Sequence, residues 1–99
     1  MAAQFDICRL KGGTYVLVLQ HDLHSQMRSR VVAVLERGSE NYTPFRALMP
    51  RITVGDLDFR LAPQTIATLP ISELANVVAS AQHSRDDIVR ALDVLLTGV

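Results

Sequence analysis

The chain has 99 residues, 48% of them hydrophobic, with ten Lys and Arg against ten Asp and Glu. That is the length of one domain, apolar enough to pack a core without disulfides or metal, and small enough to leave apolar surface for a partner chain to cover. Zero net charge argues against a general grip on nucleic acid through its phosphates, which needs a basic excess, and leaves room only for a local basic patch; the lone cysteine, Cys8, excludes an internal disulfide.

In chain order, Gln4 to Leu10 reads as a first strand, with Cys8 as a small, half-buried strand residue. Lys11-Gly12-Gly13-Thr14 is a turn, and Tyr15 to Leu19 is a run of β-formers suited to a strand buried on both faces or against a partner. The polar stretch Gln20 to Ser29 reads as an exposed loop, Arg30 to Leu35 as a third strand, and Glu36 to Pro44 as a second loop. Arg46 to Val54, broken or started at Pro50, is a fourth strand; Gly55-Asp56 turns the chain into a fifth, Leu57 to Leu61. Thr65 to Leu69 is a last short strand bounded by Pro63 and Pro70, and Ser72 to Ala81 reads as a short helical stretch. From Ser84 the pattern changes. Ser84 with Asp87 makes a weak capping box, and Ile88, Ala91, Leu92 and Leu95 form one apolar stripe. Gly98 stands where a C-cap glycine would, so Leu96 to Val99 should project from the body. Met1 to Asp6 lacks a basic start and apolar run, and no apolar stretch reaches membrane-span length, so a cytoplasmic protein is expected.

Few residues suggest chemistry. His21-Asp22-Leu23-His24 offers two imidazoles and a carboxylate, but a closed zinc site needs four ligands, and a solvated loop is the simpler reading. Cys8, His83 and Asp86 could be assembled into a nucleophile set only if the fold brought them together. Gly12-Gly13 lacks the Lys-Ser/Thr of a phosphate loop. Arg51, Asp56, Asp58 and Arg60 flank one turn. They suit a solvated face, or an acid, base and arginine for RNA cleavage. No metal or cofactor is expected, and the sequence reads as a binding protein, not an enzyme.

The chain resembles the CcdB toxin family. Leu48-Met49-Pro50-Arg51-Ile52-Thr53-Val54-Gly55-Asp56 is similar to that family's strand ending in Ile/Val-Gly-Asp, and Phe59-Arg60-Leu61 to its aromatic-Arg-Met. Ile66-Ala67-Thr68-Leu69-Pro70-Ile71-Ser72 is similar to Met-Ala-Ser-Val-Pro-Val-Ser, while His83 through Ile88 and then Ala91-Leu92 follow the final helix. Gln4-Phe5 and Tyr15-x-Leu17 fit as well. The likeness spans essentially the whole chain, with a short deletion near Leu19 to Ser29 and no gap from Leu48 to Val99.

The resemblance implies a mostly β (α+β) fold: an SH3-like antiparallel β barrel or sheet with one C-terminal α-helix, assembled as a homodimer. It implies a toxin that binds the gyrase A subunit and traps the gyrase–DNA cleavage complex. A CcdA-like antitoxin neutralises it and joins it in repressing the operon, so that it meets DNA only through that complex. The family's contact is a terminal Trp-Gly-Ile; here the chain reads Thr97-Gly98-Val99, and threonine has no flat face for a cation–π contact. The gyrase-binding candidates are therefore Leu23, Asp93, Leu96, Thr97, Gly98 and Val99. Two alternatives stand beside this reading: a CcdB-like protein of lost or redirected activity that still binds an antitoxin, and an endoribonuclease like MazF and Kid, which share the fold.

Overall fold

The computed structural model describes residues 2–37 and 48–98. The strands are β1 (Asp6–Arg9), β2 (Tyr15–Val18), β3 (Ser29–Arg37), β4 (Arg51–Val54), β5 (Leu57–Pro70) and β6 (Val77–Ser80), followed by helix α1 (Arg85–Thr97). All pair antiparallel in one curled sheet of order β4-β5-β3-β2-β1-β6, a half-barrel with α1 against one face.

Period-two alternation sorts the side chains of this sheet onto two faces. Phe5, Ile7, Leu17, Leu35, Ile52, Phe59 and Leu61 pack on one face, where Ile88 of α1 closes the cluster and the Tyr15 ring tilts against Phe59 at 5.1 Å between centroids. Cys8, Val16, Val18 and Val32 pack on the other, covered by Ala2 and Leu74. Thus β2 is buried on both faces within one chain. Cys8 is fully buried, not half-buried.

Several elements differ from the sequence reading. The first strand starts later because Phe5, buried and left-handed at φ 67°, turns the chain before Asp6. Such a conformation is unfavourable for a side chain with a Cβ; the packed ring and backbone hydrogen bonds to Val18 (2.7 Å) and Ala81 (2.8 Å) hold it. β5 runs straight through Pro63. The register with β3 shifts between Val32, opposite Ala67, and Val34, opposite Ala62, so Pro63 falls in a bulge where no ladder N–H is missed. There the Thr65 hydroxyl replaces the ladder, accepting from the Val34 amide at 2.8 Å and donating to the Ala62 carbonyl at 2.6 Å.

The expected helical stretch Ser72 to Ala81 is instead a 3-10 turn, Ile71–Leu74, and the strand β6. Leu74 is drawn into the second cluster, and the β-branched Val77-Val78 pair continues as a strand on β1. The polar segment 20–29 holds a 3-10 turn at Asp22–His24, and β3 begins at Ser29 and reaches Arg37. β4 begins only after Pro50; Arg46 and residues 38–44 of the expected second loop lie outside the described residues. α1 is entered from a 3-10 turn, Gln82–Ser84, which leaves Ser84 at φ −101°, ψ 15°, not extended, so the expected side-chain cap does not form. Gly98 does close the helix, left-handed at φ 79° with its amide on the Val94 carbonyl at 3.0 Å.

Candidate functional site

The apolar stripe of α1 is anchored at its start and loosens toward its end. Ile88 and Ala91 are fully buried, Leu92 and Leu95 are half-buried, and Leu96 is 72% exposed. Thr97 turns its hydroxyl back to the Asp93 carbonyl at 2.6 Å. With the Thr97 hydroxyl engaged on the helix backbone, Leu96 is the large apolar group that the last turn offers to solvent. Asp93 and Gly98 are exposed as well; Val99 lies outside the described residues.

Leu23 stands on a separate element, 81% exposed in the 3-10 turn between β2 and β3, with Met27 54% exposed nearby in sequence. This segment is fastened from within. The His21 imidazole accepts from the Leu23 amide at 3.0 Å, and Asp22 accepts from the Gln4 amide at 2.8 Å. Arg30, only 3% exposed, donates to the carbonyls of Met27, Ser29 and Ser25. His21 and Asp22 are thus used as struts of a loop. Among the described residues no group of three or more His, Cys, Asp or Glu side chains could hold a metal.

Of the charged residues around the β4–β5 turn, the structure brings two together. Arg51 grips Asp58 with two hydrogen bonds, Nε to Oδ1 at 2.8 Å and NH2 to Oδ2 at 2.7 Å, and that bonding holds the Asp58 carboxyl below its ordinary range. The Thr53 hydroxyl reaches the same carboxylate at 3.4 Å, and the His83 imidazole lies 2.9 Å from the Thr53 carbonyl. Arg60 turns away to the Met49 carbonyl at 3.1 Å, and Asp56 sits exposed in the turn. The imagined set Cys8, His83 and Asp86 is not assembled. Cys8 is sealed in the second-face cluster with its Sγ 3.7 Å from the Leu74 carbonyl, whereas His83 and Asp86 are exposed. Burial, with the Asp6 charge adding to it, pushes the Cys8 thiol up to about 11, so it is a poor nucleophile near neutrality.

Two solved structures share this architecture. An endoribonuclease from a mycobacterial species superposes with a TM-score of 0.80 at 15% identity, covering 96% of this chain and 90% of its own. An endoribonuclease in complex with its cognate antitoxin, also mycobacterial, gives 0.79 at 16% identity, covering 97% and 95%. These neighbours correct the expectation of a protein that is not an enzyme. The fold is one that carries RNA-cleaving enzymes, so the want of a familiar catalytic motif does not exclude catalysis. Among the described residues, no helix is long and apolar enough to cross a membrane. The family model described as CcdB protein matches residues 4–98, nearly the full length, and the chain belongs to the CcdB family.

Proposed function

We propose that the protein is the toxin of a toxin–antitoxin pair and that it acts on DNA gyrase through the end of α1. The observation that carries this reading is the contrast along the helix: Ile88 and Ala91 are locked in the core, while Leu96 and Thr97 stand in solvent. A terminal turn that makes so little packing of its own is free to enter a partner. Leu96 takes the role of apolar contact, and Leu23 adds a second exposed apolar group. The same reading makes the protein a cytoplasmic homodimer that binds the gyrase A subunit and, with its antitoxin, represses their operon. An antitoxin partner is supported by the solved neighbour that carries one.

The test is to incubate the protein with gyrase from its own host, plasmid DNA and ATP, and to look for linear DNA after detergent and protease. Linear product that vanishes when Leu96 to Val99 are deleted is expected. No product from the intact protein, or equal product from the truncated one, overturns the gyrase reading.

The endoribonuclease neighbours favour a second reading, RNA cleavage, with Arg51, Asp58 and Thr53 as the polar cluster nearest to an active site. It requires cleavage of single-stranded RNA that survives deletion of Leu96 to Val99 and falls at least tenfold in Arg51→Ala or Asp58→Ala.

A further inference from the structure

The sheet has an open side that the readings above leave unused. β6 pairs with β1 along one edge and meets no strand along the other among the described residues. On this edge strand Val77 and Val78 are 42% and 40% exposed. An unpaired edge with apolar side chains is a template for an added strand.

Two clefts meet at the start of β6. One, of about 390 Å³, is lined by Arg9, Lys11, Glu73 and Asn76 together with Ser72 and Ala75. The other, of about 460 Å³, is lined by Ala2, Ile71, Leu74 and Val77, again with Ser72 and Ala75. The shared residues make them one groove, polar and cationic at one end and apolar at the other. Neither Arg9 nor Lys11 has a hydrogen-bond or ion-pair partner for its side chain among the described residues. Glu73 lines the same end without pairing with either cation. With Glu73 counted against Arg9 and Lys11, one end of the groove keeps a single positive charge in excess, and the other end lacks apolar cover. Two cations beside an apolar floor suit a peptide, since a nucleic-acid strand would want a longer basic track.

We propose that this groove and the β6 edge take an extended segment of the antitoxin. An acidic side chain of that segment sits between Arg9 and Lys11, apolar side chains cover Ile71 and Val77, and its backbone runs beside β6 as a seventh strand. The identity of the occupant rests on the toxin–antitoxin reading; its chemistry rests on the groove. The apolar end of the groove, with Ala2 and Leu74 in the second cluster, lies on the face opposite the one that α1 covers, so a segment seated there leaves the end of the helix accessible.

The experiment is amide hydrogen exchange on the intact protein with and without the antitoxin encoded beside it, together with binding of an Arg9→Glu/Lys11→Glu variant. Both residues are exposed, so the variant should fold. The expected result is exchange slowed at least tenfold over residues 71–80 on binding, and a Kd raised at least tenfold in the variant, with the loss shrinking in high salt. An antitoxin that binds but protects other backbone, or a variant whose Kd stays within twofold, overturns the proposal and leaves the toxin–antitoxin reading standing. No binding of the antitoxin by the parent protein overturns that reading, and the inference falls with it.

Discussion

The two faces of the sheet are closed by different means. On one, Phe5, Ile7, Leu17, Leu35, Ile52, Phe59 and Leu61 meet a helix, and Ile88 is driven to zero exposure among them. On the other, Cys8, Val16, Val18 and Val32 are covered by little more than Ala2 and Leu74, the latter carried on a four-residue 3-10 turn. β2 serves both, Leu17 facing one cluster and Val16 and Val18 the other. A helix finishes the face it covers. A short turn covers only the side chains beneath it, and the groove opens along its border. The difference separates a structural face from one suited to receive a partner.

Substitution on each face sharpens that contrast. Phe59→Ala removes a ring that is 1% exposed and packed against Tyr15, with the helix-covered cluster around it unable to collapse. The expected loss is about 3–5 kcal/mol in urea unfolding. Leu74→Ala should cost less, about 2–3 kcal/mol, because the cavity it leaves opens onto the groove and can relax into it. If Leu74→Ala proved as damaging as Phe59→Ala, the second face would be as rigidly closed as the first.

Cys8 reports on the second face without perturbing it. Burial and the Asp6 charge raise its thiol from 9.0 to about 11, so the folded chain favours the protonated form. The stability this contributes is full below pH 9 and declines as pH rises from 9 toward 11. Disulfide-exchange reagents at pH 8 should therefore modify native Cys8 at least tenfold more slowly than Cys8 in the urea-unfolded chain. Native reactivity near the unfolded rate would mean that the Ala2 and Leu74 cover opens freely.

What the sequence made legible follows the same division. The run Tyr15 to Leu19 reads as a strand buried on both faces or against a partner, of which the structure shows the first, and the spacing of Ile88, Ala91 and Leu92 announces the helix that closes one face. The resemblance to the CcdB family was carried by motif order and spacing and is matched by the family model. The thin face is the part that local sequence does not decide. Residues 72–81 mix Glu73, Leu74 and Ala75, good helix formers, with Val77-Val78, and only pairing with β1 decides the second half as a strand. Pro63 reads as a strand limit in sequence because nothing local reveals that β3 offers a bulge opposite it. Arg51 and Asp58 are legible as neighbours across one turn, and only strand register decides that they, and not Asp56 or Arg60, pair; the Arg9–Lys11 end of the groove is hidden, since it meets a turn from elsewhere in the chain.

The smallest effect on stability bears on the largest functional claim. Leu96 is 72% exposed and lies beyond the buried part of the α1 stripe, so Leu96→Ala should change unfolding free energy by no more than about 0.5 kcal/mol. Under the gyrase reading the same substitution removes the main apolar contact of the helix end, and linear DNA from the gyrase reaction should fall at least tenfold. Ala91, one turn earlier, makes the complementary control: a larger side chain there overpacks a site with no exposed surface and should damage folding first and activity only in consequence. A Leu96→Ala protein with normal stability and undiminished linear DNA would take the helix end out of the target contact. Loss of stability by several kcal/mol would instead mean that the last turn is packed, and the division between anchored and offered ends of α1 would have to be redrawn.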